Sequence, residues 1–423
     1  MRKPIYIVVA IIAALGMVIL SFGGGFIAGH YTARKGEANS AATTPAPSPA
    51  TPTGTEEGEE TTTPSTEGPH RLNVDLINEV LDLLDAEFYG DIPDNTQLTY
   101  GAINGMLATL DDPYTSFVPP NIAKILNEDT SGQFEGIGAT VRMREDGYLE
   151  IVRPLPGQPA EAAGLKSGDI VLAVDGQSIV GKSLFEAISL IRGPAGTPVT
   201  LEIARPGEEE SFEVTITRAR IEIPVVEYQM LDGDIAYIHL TEFDANAADR
   251  VRDALKELLA QHPKGLIFDL RDNPGGLLSQ AIEVADIFLG DGVVAIERDS
   301  AGHEQVFYSY DGDIGEEIPM VVLVNGGSAS ASEIVSGALK DRGRAVLIGT
   351  RTLGKGSVQL PHQLSDGSQL RVTIARWFTP NDQTIHEKGI EPDIEVPDPE
   401  EPPDDLMDDP QVQRAIQYLR EGK

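Results

Sequence analysis

The sequence predicts a multi-domain α+β protein: an N-terminal membrane anchor, a helical segment, a β-rich domain and an α/β core. Three observations carry that assignment. Ile5 to Gly29 runs twenty-five residues without a charge, and the stretch that follows Arg34-Lys35 holds no aliphatic side chain larger than alanine. Residues 121–220 read as short strands and turns with one helix. Residues 225–396 alternate strands with helices. At 423 residues the chain is long enough to build several cores.

Composition removes several function classes. With 32 Lys and Arg against 67 Asp and Glu, the net charge is −35, which repels nucleic acid and anionic membrane surfaces. There is no cysteine, so disulfides, thiolate zinc sites and a cysteine nucleophile are excluded. Catalysis without a cofactor must then use hydroxyl, amine, imidazole or carboxylate groups. No metal and no cofactor is expected.

Residues 1–35 are long enough to cross about 30 Å of hydrocarbon. The apolar run exceeds that of a cleavable signal, and no A-x-A pattern closes it, although glycines and Ala28 allow cleavage. An uncleaved signal anchor is favoured over a removed signal, which would leave the protein secreted. Residues 36–70 contain nine Thr, six Pro and six Glu, a composition that cannot bury enough apolar surface to order itself. This tether and the domains after it suit an extracytoplasmic body.

In residues 71–120, Leu76, Ile77, Val80, Leu81, Leu84 and Phe88 recur at helical spacing, and Leu98, Ile103, Met106, Leu107 and Leu110 repeat it. Two short amphipathic helices cannot hide these faces alone, so they pack on a later domain or on a second copy, which points to a homodimer. In the core, spread over residues 221–396, strands are expected at Ile235–Leu240, Gly265–Leu270, Pro319–Val324 and Ala345–Gly349, with helices at Ala245–Gln261, Leu277–Leu289 and Ala331–Leu339. Residues 397–423 read as an acidic solvated tail with a last helix over Gln411–Arg420.

Three segments carry candidate chemistry. Val321 to Val335 ends a buried strand at Asn325, turns through Gly326-Gly327 and starts a helix after Ser328-Ala329-Ser330-Ala331. A hydroxyl there sits beside helix N–H groups that have no partner within the helix and can hold an oxyanion. Ser330 with Glu333 also fits a capping box that needs no chemistry. In Gly349 to Gln359, Lys355 lies between two glycines; in a dry pocket such a lysine turns into a general base, whereas in a loop it is merely exposed. A phosphate-binding loop is excluded because Gly356 stands where Ser or Thr must hold magnesium. Phe268 to Leu278 ends a strand in Asn273-Pro274-Gly275-Gly276 and can offer a second oxyanion N–H, or simply turn.

Residues 121–220 resemble a PDZ domain, through the Gly136-Ile137-Gly138-Ala139 loop, the Ala163-Gly164-Leu165 to Gly168-Asp169 turn and the Val174-Asp175-Gly176 turn. The resemblance implies capture of a free chain end as an added strand, its carboxylate held by the N–H groups of Ile137, Gly138 and Ala139. From Leu72 to Val396, the order PDZ loop, N-P-G-G, G-S-A-S-A-S-E and G-K-G-x-V-Q resembles the C-terminal processing, or tail-specific, proteases of the serine–lysine type. That implies a crotonase/ClpP-like α/β core, with Ser330 as nucleophile, Lys355 as general base and Gln359 as its support. The oxyanion N–H groups fall on Gly276 and Ala331. The implied substrates are proteins with free, apolar C-termini, and Arg192 is a candidate coupler between tail binding and cleavage. A Ser-His-Asp hydrolase finds no motif around His239, His262, His303, His362 or His386, and H-E-x-x-H is absent. The alternative of another class is a PDZ scaffold that binds tails without cutting them.

Overall fold

The computed structural model describes residues 70–399, 403 and 405–422. The expected anchor, and all of the expected tether except His70, lie outside the described residues. Among the described residues no helix is long and apolar enough to cross a membrane. The chain divides after Ile103 into two compact units.

The first unit holds α1 (Val74–Glu87) and most of α2 (Asn95–Leu107). Asn73 caps α1 by accepting the Leu76 N–H at 3.2 Å. The helical period is as read, yet no residue of α1 is buried, and Leu76, Ile77, Val80, Leu83 and Leu84 are exposed.

The second unit starts with β1 (Ser116–Val118) and α3 (Pro120–Thr130). The β-rich domain follows. Its entry and exit strands, β2 (Gln133–Gly136) and β9 (Ala219–Glu222), pair with each other. Between them lie β3 (Ala139–Met143), β4 (Leu149–Pro154), α4 (Pro159–Ala162), β5 (Ile170–Val174), β6 (Gln177–Ser178), α5 (Leu184–Ile191), β7 (Pro198–Ala204) and β8 (Phe212–Thr217). The sheet order is β3-β4-β5-β7-β8, which leaves β3 at an edge. Ala187 and Ile191 of α5 share an apolar cluster with Ile137, Val171, Val199 and Leu201. Gly138 leads into β3 with φ 73°, and a Cβ there would lie 2.5 Å from Gln158 Cβ, so the loop needs glycine.

The core is built on two sheets. The first has the order β10 (Val226–Leu231), β11 (Ile235–Leu240), β12 (Gly265–Asp269), β15 (Met320–Val324), β16 (Val346–Gly349) and β19 (Ile394–Glu395). Its pairs from β11 to β19 are parallel, as continuous apolar strands buried on both faces require. One face packs with α6 (Ala247–Leu259), α7 (Leu278–Phe288) and α8 (Ala331–Asp341). The second sheet runs β1, β18 (Gln369–Phe378), β13 (Gly292–Asp299), β14 (Glu304–Ser309), with β17 (Ser357–Gln363) also on β18. Ser116 to Val118 pairs with Gln369 to Arg371, so a stretch read as purely helical supplies an edge strand to the core.

The C-terminal segment departs from the solvated tail expected of it. Val412, Ala415 and Ile416 of α9 (Pro410–Glu421) are buried against Tyr237, Ile267, Val321 and Leu323 on the other face of the first sheet. Asp409 is the reason the docking is polar as well as apolar. It accepts the Gln411 N–H at 2.8 Å and pairs with Arg271 at 2.7 Å.

A buried acidic cluster closes the join between α3 and the core. Glu242 follows β11 beside Asp129 of α3 and Asp244; burial first, then these two charges, push its carboxyl up to about 8. Arg192 pairs with Asp129 at 2.6 Å and Arg250 with Asp244 at 3.4 Å, and neither offsets the burial of Glu242. The folded protein thus holds the Glu242 proton that the unfolded chain releases near its ordinary value of 4.5, so this residue makes stability fall as pH rises from about 4.5 to about 8. Glu242→Gln is expected to raise the melting temperature at pH 8 and to change it little at pH 4.5. Calorimetry showing the same pH slope for both proteins refutes this.

Candidate active site

The segment Ser328-Ala329-Ser330-Ala331-Ser332 supplies three hydroxyls, and the structure separates them. Ser328 Oγ donates to the Leu270 carbonyl at 2.7 Å and accepts the Asn325 N–H at 3.0 Å. Ser332 Oγ donates to the Asn273 carbonyl at 2.8 Å. Both outer serines therefore fasten the turn to the end of β12. Ser330, between them, is 4% exposed and immediately precedes α8.

Of the capping box foreseen for Ser330 and Glu333, the Glu333 half is present: its Oε2 accepts the Ser330 N–H, while the Glu333 N–H donates to the Ser330 carbonyl at 2.9 Å and not to its hydroxyl. Capping does not account for the backbone either. Ser330 has φ 53° and ψ −111°, whereas the caps Asn73, Ser183 and Asp409 all have negative φ. A cap does not need that conformation, which costs a non-glycine residue roughly 1–3 kcal/mol. Strain of this kind collects at functional sites.

Glycines let the neighbouring turn close on it. A Cβ on Gly275 would lie 2.8 Å from Ser330 Cβ and 3.0 Å from the Ala331 nitrogen. A Cβ on Gly276, at φ 143°, would lie 2.2 Å from the Phe243 carbonyl oxygen. Asn273 shapes this turn by accepting the Gly275 N–H at 2.9 Å and donating to the Leu240 carbonyl at 2.8 Å. The two oxyanion candidates thus lie on turns in direct contact. Neither the Gly276 nor the Ala331 N–H donates to a protein acceptor among the described residues.

Lys355 is 1% exposed, not a loop lysine in solvent. Burial first, then the nearby charge of Arg371, pull its ammonium down to about 8, with Glu333 opposing. Its Nζ lies 5.7 Å from the centre of the Tyr114 ring, a wall contributed from just before β1. Gly356 lets the loop press on the following turn, since a Cβ there would lie 2.3 Å from the His386 nitrogen. Gln359, on β17, donates to Ser357 Oγ at 2.8 Å and Thr373 Oγ1 at 3.3 Å, which fixes its amide.

Glu333 joins the two halves. Its Oε2 accepts the main-chain N–H of both Ser330 and Lys355, each at 2.9 Å. Its Oε1 accepts Thr352 Oγ1 and the Gly354 N–H, each at 2.6 Å. Burial raises its carboxyl and these four donors pull the other way. The main-chain nitrogens of Ser330 and Lys355 are therefore no farther apart than two hydrogen bonds meeting at one oxygen. Sequence reasoning placed Glu333 only as a helix cap; the S-x-x-E spacing signalled it, but not its reach to the lysine loop. Asn273 was read only as part of the N-P-G-G turn, and no role was assigned to Tyr114 or Arg371.

The residues expected to form the PDZ loop lie just before and at the start of β3. Ile137 is buried and its carbonyl accepts the Ala160 N–H at 2.8 Å; Gly138 makes the turn; Ala139 opens the edge strand β3. Arg192 is no solvated helix-end arginine. It pairs with Glu128 at 3.2 Å and Asp129 at 2.6 Å and stacks over Phe134 at 4.3 Å, tying the end of α5 to α3.

Glu333→Gln replaces one acceptor oxygen by an amide nitrogen that must face two donors. It is expected to cost about 2–4 kcal/mol in urea unfolding, with loss of activity. Wild-type stability in this variant excludes the shared-carboxylate clamp.

Residues 234–396 match the model of peptidase family S41, residues 150–205 a PDZ domain, and residues 25–120 the N-terminal domain of the activating protease CtpB. The chain is 42% identical to a carboxy-terminal-processing protease of Bartonella bacilliformis, over 74% of this chain and 72% of that one. It is 39% identical to the carboxy-terminal processing protease CtpA of Bacillus subtilis, over 77% and 69% of the two chains. A carboxyl-terminal-processing protease of Synechocystis is 42% identical over 72% of each. The chain therefore belongs to the carboxy-terminal processing proteases, serine-type peptidases of family S41.

Proposed function

We propose that this protein is a membrane-anchored, extracytoplasmic endopeptidase that captures the free, apolar C-terminus of a protein substrate on its PDZ domain and cuts the chain with a Ser330–Lys355 dyad. The observation that carries the dyad is the single Glu333 oxygen that holds both main-chain N–H groups, 2.9 Å each, and so keeps a strained serine and a buried lysine side by side.

In this mechanism neutral Lys355 accepts the Ser330 proton as the hydroxyl oxygen attacks the peptide carbonyl. The Gly276 and Ala331 N–H groups stabilise the oxyanion, each worth about 3 kcal/mol. The lysine ammonium then protonates the leaving amine, and water hydrolyses the acyl-enzyme ester. Gln359 orients the amine. The substrate tail adds to the open edge of β3, with its carboxylate on the Ile137–Ala139 loop and its apolar side chains toward α5. Arg192 transmits tail binding through its pairs with α3. The exposed apolar face of α1 supports pairing of two copies through the N-terminal helices. The uncharged run from Ile5 to Gly29 supports the anchor and hence the extracytoplasmic placing.

The test uses the full chain in detergent with a protein substrate ending in apolar residues and its C-terminally amidated twin. Ser330→Ala and Lys355→Ala are each expected to abolish cleavage while leaving the melting profile and tail binding intact. The amidated twin is expected to be cut more slowly, and equal rates would remove carboxylate recognition. Retained cleavage by either variant would remove the dyad. Because the amine form is the base, kcat/KM is expected to rise with pH through about 8, the value to which burial brings Lys355. A flat profile from pH 6 to 9 contradicts this assignment.

A further inference from the structure

The second sheet contributes a charge to the lysine pocket that the proposed mechanism does not use. Arg371, on β18, is 1% exposed and among the largest fully buried side chains. Its place follows from register. In the β17–β18 pair, Gln359 faces Thr373 and Pro361 faces Arg371. The Gln359–Thr373 hydrogen bond of 3.3 Å shows which face these side chains share. Two residues along the strand, Arg371 lies on that same face. Lys355 enters β17 from two residues before its start.

We propose that Arg371 is an electrostatic positioning residue for the general base, its fixed positive charge keeping Lys355 in the amine form that accepts the serine proton. The proposal rests on the Ser330–Lys355 reading and adds the group that makes it work near neutral pH. The need for it comes from Glu333. A buried carboxylate beside a lysine favours the ammonium, which is useless as a base. Each element around the lysine contributes a different group. α8 brings Glu333, β18 brings Arg371, the segment before β1 brings Tyr114, and the turn behind Gly356 brings His386. Arg376, also on β18, acts on Tyr114 and His386. Of these, Arg371 is the cation that acts on Lys355 itself.

Arginine suits the role for a chemical reason. A guanidinium keeps its charge when buried far better than an ammonium does. Burial brings Arg371 down only to about 10, so it remains charged throughout the range in which Lys355 titrates.

The experiment compares pH profiles of kcat/KM for the full-length wild type, Arg371→Gln and Arg371→Met. The acid limb is expected to move up by about one pH unit in both variants, giving about a tenfold loss at pH 7. At the alkaline plateau the rate is expected to return close to the wild-type value, which loss of packing alone would not produce. An unmoved limb, or equal loss at every pH, overturns the proposal. If neither variant folds, Ser116→Asp decides. It keeps Arg371 and sets a carboxylate on the residue paired with it across β1 and β18. The limb must again move up, and an unmoved limb overturns the proposal. Lys355→Ala separates the two readings: activity in that variant removes the dyad, whereas an inactive Lys355→Ala beside an unmoved Arg371 limb removes only the role of Arg371.

Discussion

One buried carboxylate sets the geometry on which the rest depends. Glu333 has no solvent exposure and sits at the start of α8. A charge so placed is tolerated only when its lone pairs are filled, because the penalty for burying it unpaired runs to several kcal/mol. The available donors are the Ser330 N–H on one side and Thr352, Gly354 and Lys355 on the other. Satisfying the carboxylate therefore requires the lysine loop to lie across the helix start. The approach of the Ser330 and Lys355 main chains is in this way a consequence of solvating the buried carboxylate.

That requirement spreads outward through close backbone contacts. Leu353 N–H donates to the Ser328 carbonyl at 3.0 Å, fixing the loop to the serine turn. On its far side, the Ile390 N–H donates to Thr352 Oγ1 at 2.7 Å and the Glu387 N–H to the Gly354 carbonyl at 2.8 Å. Gly389, at φ 67°, would bring a Cβ within 2.3 Å of the Thr352 carbonyl oxygen. The segment after β18 is thus as much a part of the lysine's housing as the G-K-G run itself. Strain at Ser330 survives because these contacts determine its position from several sides at once.

Local patterns were legible and long-range ones were not. The four parallel strands β11, β12, β15 and β16 and their helices lie within a residue or two of the expected bounds, since uninterrupted runs such as Met320 to Val324, buried at every position, state their own environment, whereas the short β19 was not foreseen. The serine turn, the N-P-G-G turn and the lysine loop were visible for the same reason. The second sheet was not foreseen. It depends on pairing Ser116–Val118 with Gln369–Arg371, and neither segment records the other. Arg371 was hidden by the same gap: an arginine in a strand of mixed polarity reads as solvent-facing until its partner strand is known. The docked C-terminal helix was half legible. Its apolar spacing was there, but the acidic stretch before it masked the pairing of Asp409 with an arginine far back in the chain.

That pairing explains how the C-terminal helix bears on the Asn273–Gly276 turn. Arg271 donates to Asp269 through Nη2 at 2.6 Å and reaches Asp409 and Gln411 through Nη1 at 2.7 and 2.8 Å. Tyr237 adds its hydroxyl to Asp269 at 2.8 Å. Arg271 is the second residue after β12, and the chain runs on through Asp272, Asn273 and Pro274 to Gly275, which presses on Ser330, and Gly276. The guanidinium therefore anchors the base of the Asn273–Gly276 turn to two carboxylates, one from the strand and one from the helix cap. Removing either partner strands a buried cation, which costs more than the pair itself contributes. A helix that looks peripheral in sequence is in this way bonded to the turn that carries the Gly276 N–H. Its docking stabilises that turn through charge as well as through apolar burial.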